Sequence, residues 1–294
     1  MKTFLEINAI LIITYIVFIT LPAIAMYLLV FYRRDSKKVR GQSANQQEYQ
    51  FFKSLTYQTL TIENDGIKLS GRFYDNHSDK TAIMVHGFSA IPESYMAKYG
   101  KHFYDLGYNV LFIVQRAHCE SQGYFSTVGI KEADDLLKWI SLIEKDCNSI
   151  VIVGQSMGGF TVGYGASRMS KKVKCLIIDC GYQNVGQQLS HEAKNRRLPA
   201  KLLMPYVNFL ALIISCIDLN CNLVYSLENN EIPTIFIHSR NDRVVLYQES
   251  LKNFQINKSK KLLLLTDLGD HSTAFNYLTS KQLEKMNKFI AKNK

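Results

Sequence analysis

The sequence predicts an α/β fold: a mostly parallel sheet with helices on both faces, an inserted helical lid, and one transmembrane helix ahead of them. Three observations carry this. From Leu55 onward, short β-branched runs alternate with helix-period stretches, the mark of strand and crossover-helix units. A composition of 47% hydrophobic and 20% charged residues over 294 positions supplies a sizeable core. Ala9 to Tyr32, AILIITYIVFITLPAIAMYLLVFY, has no charged residue and is long enough for a hydrocarbon core of ~30 Å at ~1.5 Å per residue.

The strand candidates Leu55–Glu63 and Lys68–Tyr74 flank the turn Asn64-Asp65-Gly66 and form a hairpin. Thr81–Val85, Asn109–Val114, Ser149–Val153, Lys174–Asp179, Thr234–His238 and Lys261–Thr266 follow. Helices are expected near Ser94–Leu106, Gly129–Glu144, Met157–Ser170, Leu246–Asn253 and Ser280–Lys292. Gly181 to about Ile232 is too long for a crossover loop and predicts an inserted subdomain. Its centre, Leu202–Ile217, is apolar and follows Lys194, Arg196, Arg197 and Lys201, as in an amphipathic lid helix over a pocket. As a second span it is short and carries Pro205 and Asn208. The chain therefore divides into an anchor with a basic flank (1–40), a polar linker (41–54), a core (55–180 and 233–294) and a lid (181–232).

Two other readings of the Ala9–Tyr32 run compete with an uncleaved anchor. A buried core helix of that length would show polar positions on one face. A signal peptide would use the small residues Ala23-Ile24-Ala25, yet apolar residues continue past them and the positive charges lie on the wrong side. Pro22 is tolerable in a membrane helix, with a kink. Arg33, Arg34, Lys37, Lys38 and Arg40 after the run, against Lys2 before it, predict a cell-membrane protein whose main body faces the cytoplasm. That flank takes up much of the net charge of +10; the other basic residues are scattered, so no nucleic-acid partner is expected. Cys119, Cys147, Cys175, Cys180, Cys216 and Cys221 form no C-x-x-C pair and no metal-ligand spacing, so they read as small buried residues of a reducing compartment. No metal and no cofactor are expected.

Chemistry enters at Gly154-Gln155-Ser156-Met157-Gly158-Gly159, directly behind the strand Ser149–Val153 and ahead of a helix. A serine on so tight a strand-to-helix turn needs small residues two before and two after it, here Gly154 and Gly158. Its hydroxyl is too weakly acidic to attack a carbonyl unaided, so a histidine base and an orienting carboxylate must follow. His271, after the last strand, is the base; His191 lies in the insertion and His238 in a strand end, where local hydrogen bonding suits it better. Asp242, just past a strand end and beside Val244, is the acid, with Asp179 as the alternative; Asp267 and Asp270 read as turn residues. The oxyanion would take the backbone N–H groups of Met157 and, from His86-Gly87-Phe88, of Phe88. His86 itself reads as a structural histidine.

VHGFSA (85–90), GQSMGG (154–159), HSRNDRVV (238–245) and GDHSTAF (269–275) resemble, in order, the oxyanion loop, nucleophile elbow, acid loop and histidine loop of the α/β-hydrolase superfamily. Within it the resemblance points to bacterial hydrolases and the Bem46-like branch, which often carries an N-terminal membrane segment. It covers about Leu55 to Lys292. One departure stands out. Where such proteins carry D-x-R-G-x-G-x-S, residues Val114–Ser121 keep Arg116, His118 and Ser121 but lack the aspartate and both glycines. The resemblance implies a serine hydrolase acting on a small-molecule or lipid acyl ester, without cofactor. A peptidase of the same fold, or a non-catalytic binding protein on that scaffold, are the alternatives.

Overall fold

The computed structural model describes residues 2–34 and 46–293. Asp35, Lys37, Lys38 and Arg40 of the basic flank, and residues 41–45 of the expected linker, lie outside the described residues. The strands are β1 Gln58–Asn64, β2 Ile67–Tyr74, β3 Lys80–Val85, β4 Asn109–Ile113, β5 Ser149–Gln155, β6 Val173–Asp179, β7 Thr234–Ser239 and β8 Lys261–Thr266. The α-helices are α1 Lys2–Tyr15, α2 Leu21–Phe31, α3 Gln46–Ser54, α4 Pro92–Asp105, α5 Ile130–Ile143, α6 Met157–Gly165, α7 Val185–Asn195, α8 Ala200–Leu210, α9 Val224–Glu228, α10 Tyr247–Ile256 and α11 Ser280–Ala291.

The described chain divides into two compact units. The larger, Arg33–Gln183 with Asn222–Lys294, holds an eight-stranded sheet in the order β1-β2-β4-β3-β5-β6-β7-β8. β1 and β2 pair antiparallel through the two-residue turn Asp65-Gly66, whose φ angles of 52° and 70° match the twist of a hairpin. β2 meets β4 antiparallel, and the remaining pairs are parallel, as the alternating pattern predicts. β3 to β7 are covered on both faces, which is why AIMV, VLFI, IVIV and IFI read as unbroken apolar runs. Strand and helix ends differ from the sequence expectation by a few residues.

One element occupies a stretch expected to be patternless linker. Gln46–Ser54 is a helix packed against α4, and its Phe52 is fully buried, ring centroids 4.8 Å from Tyr74 and 4.9 Å from Phe112. A helix held by a few aromatic residues among glutamines carries no wide apolar stripe, so its period is invisible in sequence.

The smaller unit is Met1–Tyr32 with Asn184–Cys221. Glu6–Phe31, 26 residues, is long and apolar enough to cross a membrane. Ahead of Pro22, which has no N–H to donate, the helix widens into a π-turn at Ile16–Thr20, where the Leu21 N–H reaches back to the Ile16 carbonyl. In the insertion, α8 runs through Pro205 into a second π-turn, Ala211–Ser215; this apolar helix falls short of a span. α2 packs along α8, and the Tyr27 hydroxyl and Ser215 Oγ are 2.6 Å apart.

If α3 belongs to the core, Phe52→Ala lowers unfolding free energy by about 3–5 kcal/mol in urea titration. A change below about 0.5 kcal/mol would mean that the segment behaves as a linker.

Candidate active site

The turn between β5 and α6 is built by close backbone approach. A Cβ on Gly158 would lie 2.0 Å from the Val85 carbonyl oxygen, and one on Gly154 would lie 2.2 Å from that of Gly158. Both positions exclude any side chain, as the sequence argument requires. Ser156 sits at the apex with φ 56° and ψ −116°, a backbone state costly for a non-glycine residue. It is held there by its N–H, which donates to the Asp179 carbonyl at 2.8 Å, and by its carbonyl, which accepts from the Phe160 N–H at 3.0 Å.

The structure brings Ser156, His271 and Asp242 into one hydrogen-bonded chain. Ser156 Oγ is 2.9 Å from His271 Nε2, and His271 Nδ1 is 2.8 Å from Asp242 Oδ2. Asp242 has a fully buried side chain and caps its own loop, Oδ1 accepting from the N–H groups of Val244 at 2.9 Å and Val245 at 3.0 Å. Burial alone would raise its pKa, but hydrogen bonds from His238 and His271 outweigh burial and hold the carboxyl well below the usual range. It is therefore anionic and favours the Nδ1–H tautomer of His271, which leaves Nε2 facing the Ser156 hydroxyl as a hydrogen-bond acceptor.

Asp179, the alternative acid, is placed differently. It ends β6 beneath the elbow, Gln155 Nε2 donates to its Oδ2 at 3.1 Å, and it makes no hydrogen bond to His271 among the described residues. Burial pushes its carboxyl up. His191 lies on α7 in the smaller unit, and Asp267 and Asp270 stay in surface turns. Cys180 Sγ, with ligand atoms of Asp242 and His271, falls within a 4.8 Å cluster. Burial raises that thiol well above its ordinary value, and the other two groups are hydrogen-bonded to each other at 2.8 Å.

Met157 opens α6, so its N–H has no acceptor within the helix. The loop after β3 comes alongside: a Cβ on Gly87, the residue before Phe88, would be 3.3 Å from Ser156 Cβ. His86 is structural, as expected. Its Nε2 accepts from the Gln115 N–H at 3.0 Å, so Nδ1 donates to the Gly87 carbonyl at 2.7 Å. His118 works likewise, Nδ1 donating to the Arg116 carbonyl and Nε2 accepting from the Ser89 N–H.

Sequence reasoning missed the part played by His238. Its Nε2 faces both Asp242 Oδ2 at 3.2 Å and the Val245 carbonyl at 2.9 Å, and its Nδ1 is 2.7 Å from Ser250 Oγ. The carboxylate thus lies between two imidazoles. The signal was present as a four-residue spacing within HSRND.

Comparison with known proteins agrees with this architecture. A family model described as alpha/beta hydrolase fold matches residues 81–203. The solved esterase Pf2001 of Pyrococcus furiosus superposes with a TM-score of 0.70 at 25% identity, over 89% of this chain and 98% of that one. The chain has the alpha/beta hydrolase fold. The ferulic acid-bound Est1E of Butyrivibrio proteoclasticus shares this hydrolase fold at a TM-score of 0.58 and 18% identity, over 79% and 99%. Among proteins compared by sequence, the uncharacterized YqkD of Bacillus subtilis (strain 168) is 26% identical over 259 residues, covering 85% of each chain.

Two buried histidines give this hydrolase fold a predictable pH response. Burial, with His118 nearby, pushes His86 down to about 3, and burial likewise lowers His118. Both stay neutral when folded, whereas in the unfolded chain they take protons below about 6.5. Stability should be level above that pH and fall below it, by up to ~1.4 kcal/mol per pH unit for each histidine. Urea midpoints at pH 7.5 and 5.0 check this; equal midpoints would contradict it.

Proposed function

We propose that the protein is a membrane-anchored serine hydrolase that cleaves a lipophilic carboxylic or thio ester, with Ser156 as nucleophile, His271 as base and Asp242 as the orienting acid. The observation that carries this reading is the Asp242–His271–Ser156 chain, with links of 2.8 and 2.9 Å, on a turn that strains the serine outward.

Ser156 Oγ attacks the acyl carbonyl while its proton passes to His271 Nε2, and Asp242 stabilises the resulting imidazolium. The carbonyl π pair moves onto oxygen, where the Met157 and Phe88 N–H groups receive it. When the pair returns, the carbon–oxygen or carbon–sulfur bond breaks and His271 protonates the departing alcohol or thiol. The acyl group remains on Ser156. Water, losing its proton to His271, then attacks the acyl-enzyme; the Ser156 bond breaks and the serine regains that proton, releasing the acid. Every proton movement uses His271 alone, so one base serves both halves.

The finer parts rest on separate support. The Glu6–Phe31 helix supports an anchor, as in the Bem46-like branch. Five Lys/Arg after the apolar run against one before it support a cytoplasmic catalytic body. A lipophilic acyl group is supported by the exposed Leu202, Phe209, Leu212 and Ile213 on the apolar insertion helix, side chains suited to contact with lipid. A peptidase reading has one observation in its favour: the acylaminoacyl peptidase of Pyrococcus horikoshii shares the fold at a TM-score of 0.57 and 16% identity, over 43% of that chain.

The test is a p-nitrophenyl ester series from acetate to palmitate, with aminoacyl p-nitroanilides alongside. The account expects ester turnover rising with chain length, little anilide turnover, and a loss of about 10⁴-fold or more in kcat for Ser156→Ala. Preferential turnover of acetate would overturn the lipophilic substrate. Dominant anilide turnover would favour the peptidase, and an active Ser156→Ala would remove the serine mechanism.

A further inference from the structure

The loop that departs from the family pattern is held by the residues that follow the N-terminal apolar run. Ala117 and Cys119 stand where the pattern has glycines, and both keep the left-handed backbone that glycine would adopt without cost, at φ 57° and 41°. Each such non-glycine residue is strained and persists only if its surroundings over-determine it.

The loop's own bonds, Ala117 N–H to the Gln122 carbonyl at 2.9 Å and Ser121 Oγ to the Val114 carbonyl at 2.6 Å, supply part of those surroundings, and Arg33 and Arg34 supply the rest of the bonds to the two strained residues. Arg34 pairs as a short parallel bridge opposite His118: its N–H donates to the Ala117 carbonyl at 2.7 Å, and its carbonyl accepts from the Cys119 N–H at 2.8 Å. The Arg33 N–H donates to the Tyr124 carbonyl at 2.8 Å. Its guanidinium fork reaches the Ser121 carbonyl at 2.6 Å, the Gly123 carbonyl at 3.2 Å and the Cys119 carbonyl. Both strained residues are therefore bonded to this arm.

The arm also touches the loop assigned above to the oxyanion. The Arg34 guanidinium carbon lies 5.0 Å from the centroid of the Phe88 ring, which is 40% exposed, and His118 meets the same ring edge-on at 6.2 Å. His118 further accepts from the N–H of Ser89, next to Phe88, at 3.2 Å. Backbone and side chain of the Phe88 turn are thus fastened to the strained loop and to Arg34.

We propose that Arg33 and Arg34 are positioning residues of the active site, clamping the Ala117–Cys119 loop and through it holding Phe88 where its N–H can receive the oxyanion. In sequence these two arginines read as part of a flank that sets membrane orientation; in the fold they are spent on carbonyls and an aromatic ring of the catalytic body.

This rests on the serine-hydrolase reading, and the test separates the two. On full-length protein with p-nitrophenyl butyrate, Arg34→Ala should lower kcat by about tenfold to a hundredfold with KM within about twofold. Arg34→Lys, which keeps a cation over the ring, should recover most of the loss. Arg33→Ala should lower kcat similarly and be rescued by Ala117→Gly with Cys119→Gly, which remove the strain the arm opposes. Hydrogen exchange gives a readout independent of activity: amides of 86–91 and 116–124 should exchange about tenfold faster in both alanine variants. An inactive wild type with faster exchange in the variants sinks the hydrolase reading and keeps the clamp. Unchanged exchange, unchanged kcat in Arg34→Ala, or no rescue by lysine and glycine overturns the clamp.

Discussion

The approach of the first turn of α6 to the end of β3 is the constraint on which the site depends. Gly158 must pass the Val85 carbonyl at a distance no side chain allows, and that closeness turns the chain sharply enough to force Ser156 to positive φ. The strain is offset by hydrogen bonds on either side of the serine and by a sheet covered on both faces. The same approach puts the start of a helix, whose first N–H groups lack helical acceptors, beside the loop that carries Phe88. The serine proposed as nucleophile and the backbone N–H groups proposed as oxyanion donors thus follow from one piece of backbone packing.

Charge is placed with equal economy. Asp179 closes β6 and Asp242 lies just past the end of the neighbouring β7; both are buried, yet their environments differ. Asp242 accepts from two backbone N–H groups and two imidazoles, which hold it ionised. Asp179 has one amide donor at Oδ2 and is shifted upward by burial. Residue type is the same and the two strands are neighbours; hydrogen-bond supply moves one carboxyl down while burial moves the other up.

What was legible in the sequence follows from what is local. The elbow was readable because its glycines and serine lie within a few residues, between a buried strand and a helix, and the parallel sheet because strands covered on both faces are continuous apolar runs. His271 and Asp242 were readable from their order on strand-end loops. The second imidazole on Asp242 was not, since a histidine closing a strand usually bonds its own surroundings and nothing in its neighbours distinguishes the carboxylate. Helix α3 escaped because a few aromatic residues among glutamines give no period. Arg33 and Arg34 escaped because charge counting assigns a cation to a membrane surface without knowing which carbonyls it will meet, and the missing glycines were visible only as a departure from pattern. The structure joins those two facts: the strained loop and the arginines that bond it are one feature.

The central claim, that Ser156 is the activated nucleophile with His271 and Asp242 behind it, is tested most directly by fluorophosphonate labelling of the intact protein followed by peptide mass mapping. The account predicts a single phosphonyl adduct on Ser156, formed far more slowly in Asp242→Asn and at close to the normal rate in Asp179→Asn. A folded wild type that takes no adduct, or an adduct mapped to another serine, would contradict it.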